Sequence, residues 1–197
     1  MEWGKNSLRK ATYLLLFIGV IFIGYSLFYF NQYHIDDDKI AVQSSLTEWM
    51  SGDSENTTFD VKEIIRLDNT NSHIALFQTE NGHVGYAHLI EGWNGKLKIV
   101  SSGGHGTNIV SYKVIETDKG NYGILFGKNP ELTIDHIKAD LNYENYSFSV
   151  DVPSDEIFVK YAHLPEDIEN PFPAELTYFD KDQSVIELAD LFLAENN

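Results

Sequence analysis

The chain has 197 residues, no cysteine, and 30 acidic against 14 basic side chains, for a formal net charge of −16. That length allows one domain, or two small ones, with a real core, and a hydrophobic share of 43% is too high for a disordered chain. The missing cysteine excludes disulfides, thiolate metal sites and a cysteine nucleophile, and the acidic balance argues against nucleic acid, whose binding rests on neutralising phosphates.

Residues 11–30, ATYLLLFIGVIFIGYSLFYF, carry no charge across 20 positions. As a helix this run is about 30 Å long, the thickness of a bilayer's hydrocarbon core. Lys5, Arg9 and Lys10 precede it, and Asp36, Asp37 and Asp38 follow it. The basic flank stays inside, so residues 1–10 read as a cytoplasmic tail and everything after the run as extracytoplasmic. Trp3 and Tyr13 are placed for the inner interface; Tyr25, Phe28, Tyr29, Phe30 and Tyr33 are placed for the outer one. The competing reading is a cleaved signal peptide, which needs a shorter run and small residues before the cut. This run is long and ends Ser26-Leu27-Phe28-Tyr29-Phe30. We read 11–30 as an uncleaved, single-pass signal anchor in the cell membrane. Gly19 and Gly24 are five apart, not the four of a helix-pairing motif.

Residues 31–36 read as a short polar tether. The aspartates at 36–38 supply helix-start chemistry, and Val42, Leu46, Trp49 and Met50 fall on one helical face, so a helix is expected over 38–51 with Gly52 as its stop. The period then changes to two. Phe59, Val61, Ile65 and Leu67 alternate, and the apolar runs 73–79, 84–90 and 96–100 are separated by Asn81-Gly82 and Asn94-Gly95. Such steps signal hairpins with both central residues at positive φ. Residues 37–103 therefore read as a helix packed on an antiparallel meander.

After a loop at 101–108, short strands are expected at 109–117, 122–126, 132–139, 146–152 and 156–162, then a proline-rich loop at 164–173 and a last hairpin, 176–179 with 185–188. Residues 186–195 fit a terminal helix equally well. The spacing suggests a β-sandwich-like unit over 107–197, sharing a core with the first part or not. The fold class expected is mainly β, of the α+β type.

Charge is uneven. The first 30 residues sum to +2 and residues 31–197 to −18, of which −12 falls in the last 58. Those 58 positions also hold apolar strands, so they read as a folded acidic face.

Six of the seven histidines follow His34. His73 and His88, with Glu80 or Glu91 as an acidic third ligand, make one metal reading, but no tight ligand spacing such as HExxH occurs, and turn or surface histidines explain them as well. Gly103-Gly104-His105-Gly106 leads into a strand, not the helix a phosphate loop needs; it reads as a corner, or as a mobile loop presenting His105. No serine is framed as a nucleophile. Asp180-Lys181-Asp182 opens like a calcium loop but lacks its glycine and distal glutamate. Asn56-Thr57-Thr58 and Asn145-Tyr146-Ser147 match the glycosylation pattern, which matters only in a glycosylating cell. No catalytic residue, cofactor or metal ligand is assigned. The residues singled out for interaction are Trp93 on a hairpin tip, His105, and His83 in the Asn81–His83 turn; for Trp93 the plainer reading is packing on a neighbouring strand.

The order of parts, together with 82–108 (GHVGYAHLIEGWNGKLKIVSSGGHGTN) and 122–129 (YGILFGKN), resembles uncharacterised membrane-anchored exported proteins of Bacillus-type Gram-positive bacteria. The resemblance implies an envelope location and supplies no functional residue. The reading as a whole is a membrane-tethered, non-catalytic binding module whose partner is an envelope protein, a peptide or a wall component, with no nucleic acid. The alternatives are an extracytoplasmic metal-dependent hydrolase, or an accessory regulator of a membrane partner.

Overall fold

The structure, a computed structural model, describes residues 3–50, 58–104 and 109–195. Strand outweighs helix, 43% against 25%, as expected of a mainly β chain.

Helix α1 (Trp3–Gln32) contains a stretch, Thr12–Gln32, of 21 residues with mean hydropathy 2.1, long and apolar enough to cross a membrane. That stretch stands clear of the protein's cores. Helix α2 (Lys39–Met50) starts where a carboxylate caps it: the Asp38 Oδ1 accepts from the Ala41 N–H at 2.9 Å. Val42 and Leu46 are fully buried, but Trp49, expected on the same stripe, is 51% exposed. Its indole sits at the lip of a cleft instead of under the helix. Gly52, the expected stop, lies outside the described residues.

The meander forms as a first sheet in the order β1 (Phe59–Arg66), β2 (Ser72–Thr79), β3 (Val84–Glu91), β4 (Leu97–Gly103). Its two Asn-Gly turns differ from the two-residue form. Gly82 and Gly95 take positive φ, 78° and 70°, while Asn81 and Asn94 do not. In each turn the glycine N–H bonds back to Thr79 or Gly92, leaving three-residue loops closed by a left-handed glycine.

A second sheet follows, β5 (Val110–Thr117), β6 (Gly120–Lys128) and β9 (Ile157–His163), with β6 central. A third sheet has the order β11-β10-β7-β8, from β7 (His136–Leu141), β8 (Ser147–Asp151), β10 (Ala174–Phe179) and β11 (Val185–Ile186). Both options weighed for the C-terminus occur: β10 pairs with β11 through Tyr178–Ile186 and Phe179–Val185, and helix α3 (Leu188–Glu195) starts two residues later.

Three apolar clusters stack these parts. Val42, Leu46, Phe77, Leu89 and Leu97 join α2 to the outer face of the first sheet. Ile74, Leu76 and Tyr86 from its inner face meet Ile115, Tyr122, Ile124 and Phe126 of the second sheet. Leu125 and Phe158 on the other side of the second sheet meet Ile137, Phe148 and Tyr178 of the third. The second sheet is thus shared between a meander and a sandwich. This is why β2, β3 and β6 have no polar face: each lies between two layers, and each reads as a continuous apolar run.

Candidate functional site

The chain's departure from α1 is pinned to the β3–β4 turn. The Trp93 backbone N–H donates to the Tyr29 Oη at 2.7 Å, and the indole stacks on the Tyr29 ring with centroids 4.8 Å apart. Tyr29 stacks in turn on Tyr33 at 4.6 Å, and Phe30 meets Trp93 edge-on at 5.5 Å. A Cβ at Gly92 would come within 2.4 Å of the Tyr29 hydroxyl, so only glycine lets the helix approach this closely. The Asn94 side-chain amide donates to the Tyr33 carbonyl at 2.9 Å.

Ile35, within the segment read as a tether, is buried and pairs with Leu97 through two backbone bonds, at 3.2 and 2.7 Å. Lys96 forms an ion pair with Asp36, and the Lys98 ammonium lies 5.8 Å from the centre of the Tyr33 ring. The last turn of α1 and the turn at 92–96 therefore form one aromatic clamp. Trp93 nonetheless remains 71% exposed, because stacking covers a single face of its ring.

The other singled-out residues lie elsewhere. His83 closes the β2–β3 turn, where its carbonyl accepts from the Thr79 N–H. That turn is at the opposite end of β3, roughly 25 Å from Trp93 at the usual strand rise. Gly103, opposite Tyr86, brings the end of β4 to the same far end. His105 lies outside the described residues, as do Asn56 and Thr57 of the first glycosylation pattern.

His73 and His88 are both buried, one residue out of step on paired strands: Ile74 opposes His88 and His73 opposes Leu89. They therefore point to opposite faces of the sheet. The His88 Nε2 lies 3.1 Å from the Ser72 hydroxyl, and burial, aided by His73, pushes its pKa down to about 4. His73 Nδ1 has no hydrogen-bond partner among the described residues. Glu80 accepts from the Thr58 hydroxyl, and Glu91 pairs with Arg66 at 3.4 Å. Among the described residues, no three His, Asp or Glu side chains converge as a metal site. Asp180 is used by its own turn, accepting from the Asp182 and Ser184 N–H groups.

Two features carry no local sequence signal. The first joins the sheets. Asp68, at φ 46° in the β1–β2 turn, accepts from the Tyr122 and Tyr161 hydroxyls at 3.0 and 3.1 Å. Burial and this carboxylate push the Tyr122 pKa up to about 12. The second is an apolar cleft of about 440 Å³ beside α3, lined by Val110, Tyr178, Val185, Ile186, Leu188 and Phe192. Leu191 is the residue α3 buries; Leu193 is 67% exposed. The distance in sequence from Trp93 to Tyr29, 64 residues, hides the clamp in the same way.

No protein-family model, curated protein or solved structure matches the chain.

Proposed function

We propose that this is a single-pass membrane protein whose extracytoplasmic, acidic β domain is a non-catalytic binding module at the cell envelope. The observation that carries the reading is the Thr12–Gln32 helix: 21 uncharged residues of mean hydropathy 2.1, none of them buried in the protein's cores, with basic residues before and three aspartates after. The clamp at Tyr29 and Trp93 supports an anchor that stays attached, because the folded domain uses the end of the helix as a structural part. The apolar cleft beside α3, in the segment carrying most of the negative charge, supports a partner with an apolar anchor and basic surroundings: an envelope protein, a peptide or a wall component.

The test is fractionation of the full chain carrying a C-terminal tag. The reading expects the unshortened mass in the alkaline-carbonate-resistant membrane pellet, with the tag digested by protease added to intact protoplasts. Recovery of a shortened, soluble chain overturns the anchor, and a tag protected in intact protoplasts overturns the orientation. Co-purification in mild detergent tests the module: Leu188→Glu, at the exposed lip of the cleft, is expected to strip the enriched partner, and the same set of proteins from both chains argues against this surface.

A further inference from the structure

We propose that the β3–β4 turn is a second membrane contact, with the Trp93 indole seated at the headgroup–acyl boundary of the bilayer that α1 spans. The inference rests on the membrane-anchor reading and adds to it a fixed orientation of the domain.

Depth is the first argument. Tyr29 precedes the end of α1 by three residues, about 4.5 Å along a helix axis, so it belongs to the last turn of the apolar stretch. A ring stacked on Tyr29 at 4.8 Å shares that level. Rigidity is the second. The turn cannot swing away while Ile35 and Leu97 exchange two backbone bonds and the Trp93 N–H is held by Tyr29. Chemistry is the third. An indole is amphipathic and favours the interface, and 71% of this one is uncovered in the protein. Charge is the fourth. Residues 92–98, GWNGKLK, hold two lysines and no acid, whereas 31–197 sum to −18. Lys96 is taken up by Asp36, which leaves Lys98, over the Tyr33 ring, as the cation suited to anionic headgroups, while the acidic remainder is repelled by them.

The consequence is a domain standing on one end of its first sheet. The turns at 67–71 and 92–96 face the bilayer, and the His83 end of β3 faces away, roughly 25 Å further out.

The test uses the full chain in mixed phosphatidylcholine–phosphatidylglycerol vesicles, with Trp3→Phe and Trp49→Phe leaving Trp93 as the single tryptophan, excited at the red edge where tyrosine does not absorb. A reference chain adds Trp93→Phe and Asn81→Trp, which moves the indole to the exposed far turn. Lipids brominated near the headgroup end of the acyl chain are expected to quench Trp93 several-fold more than the reference, and aqueous acrylamide is expected to do the reverse. Equal quenching of the two chains by both agents, in protein that resists carbonate extraction, overturns the inference and leaves the anchor standing. Protein that carbonate extracts overturns the anchor and the inference together. Should these replacements not fold, single cysteines in the otherwise cysteine-free chain read the same contrast: Trp93→Cys is expected to react several-fold more slowly with a membrane-impermeant maleimide than Asn81→Cys, and equal rates overturn the inference.

Discussion

The first and third sheets are both four-stranded and antiparallel, yet they are built for different surroundings. The first is covered twice, by α2 outside and by the second sheet inside, and its central strands β2 and β3 are buried over six consecutive residues each. The third is covered once. Strand β7 alternates between buried Ile137, Ala139 and Leu141 and half-buried His136, Lys138 and Asp140, and β8 alternates in the same way. The difference teaches how hydrophobic period reports neighbours: a two-residue period marks a sheet with one wet face, and its loss marks a sheet between two layers. It also separates roles, since the twice-covered sheet is the one tied to α1.

The comparison can be broken by truncating each core. Phe77→Ala removes a fully buried ring on the doubly covered sheet and is expected to cost about 3–5 kcal/mol in urea unfolding. Phe148→Ala, in the singly covered sheet where the ring keeps some solvent contact, is expected to cost less; equal losses would show that the second cover adds nothing at this position.

Acid should act through the first sheet. His88 is held neutral, with its pKa lowered to about 4 from 6.5. Both states are neutral above pH 6.5. Below it the unfolded chain takes up a proton that the folded chain refuses until about pH 4, so stability is lost as pH falls through that window, by about 3 kcal/mol. His88→Leu is expected to flatten this limb of the stability profile. A slope unchanged by the substitution would assign it to another group.

Next in size is the joint between sheets. Asp68→Ala leaves two tyrosine hydroxyls without their acceptor and puts alanine at positive φ, so a loss of about 1–3 kcal/mol is expected. The raised Tyr122 pKa adds a pH signature. The folded state keeps the phenol proton to about pH 12 while the unfolded state loses it near 10, so stability present below pH 10 falls between 10 and 12. In the variant the folded-state pKa moves back toward 10, so this fall should be smaller and end at lower pH, followed by tyrosinate absorbance together with unfolding.

The smallest effect belongs to the wet face of the third sheet. Lys138 and Asp140 are 2.7 Å apart and both substantially exposed, so Lys138→Ala should change stability by less than about 0.5 kcal/mol. A larger loss would show that this face is covered in the assembled protein.

What the sequence determined by itself was local. An uncharged 20-residue run between opposite charges specifies an apolar helix, a carboxylate before an apolar stripe starts α2, and glycines able to take positive φ close the two hairpins. Each depends on neighbours a few residues away. The clamp, the Asp68 joint and the sharing of the second sheet were decided by tertiary structure. They bring together groups from Tyr29 and Trp93, from Asp68 and Tyr161, and from three separate sheets, and at such separations no period or spacing records which faces meet. Trp49 and Trp93 show the limit at single residues: each was legible as a large aromatic side chain, but only packing decided that one lies on a cleft's lip and the other on the end of the apolar helix.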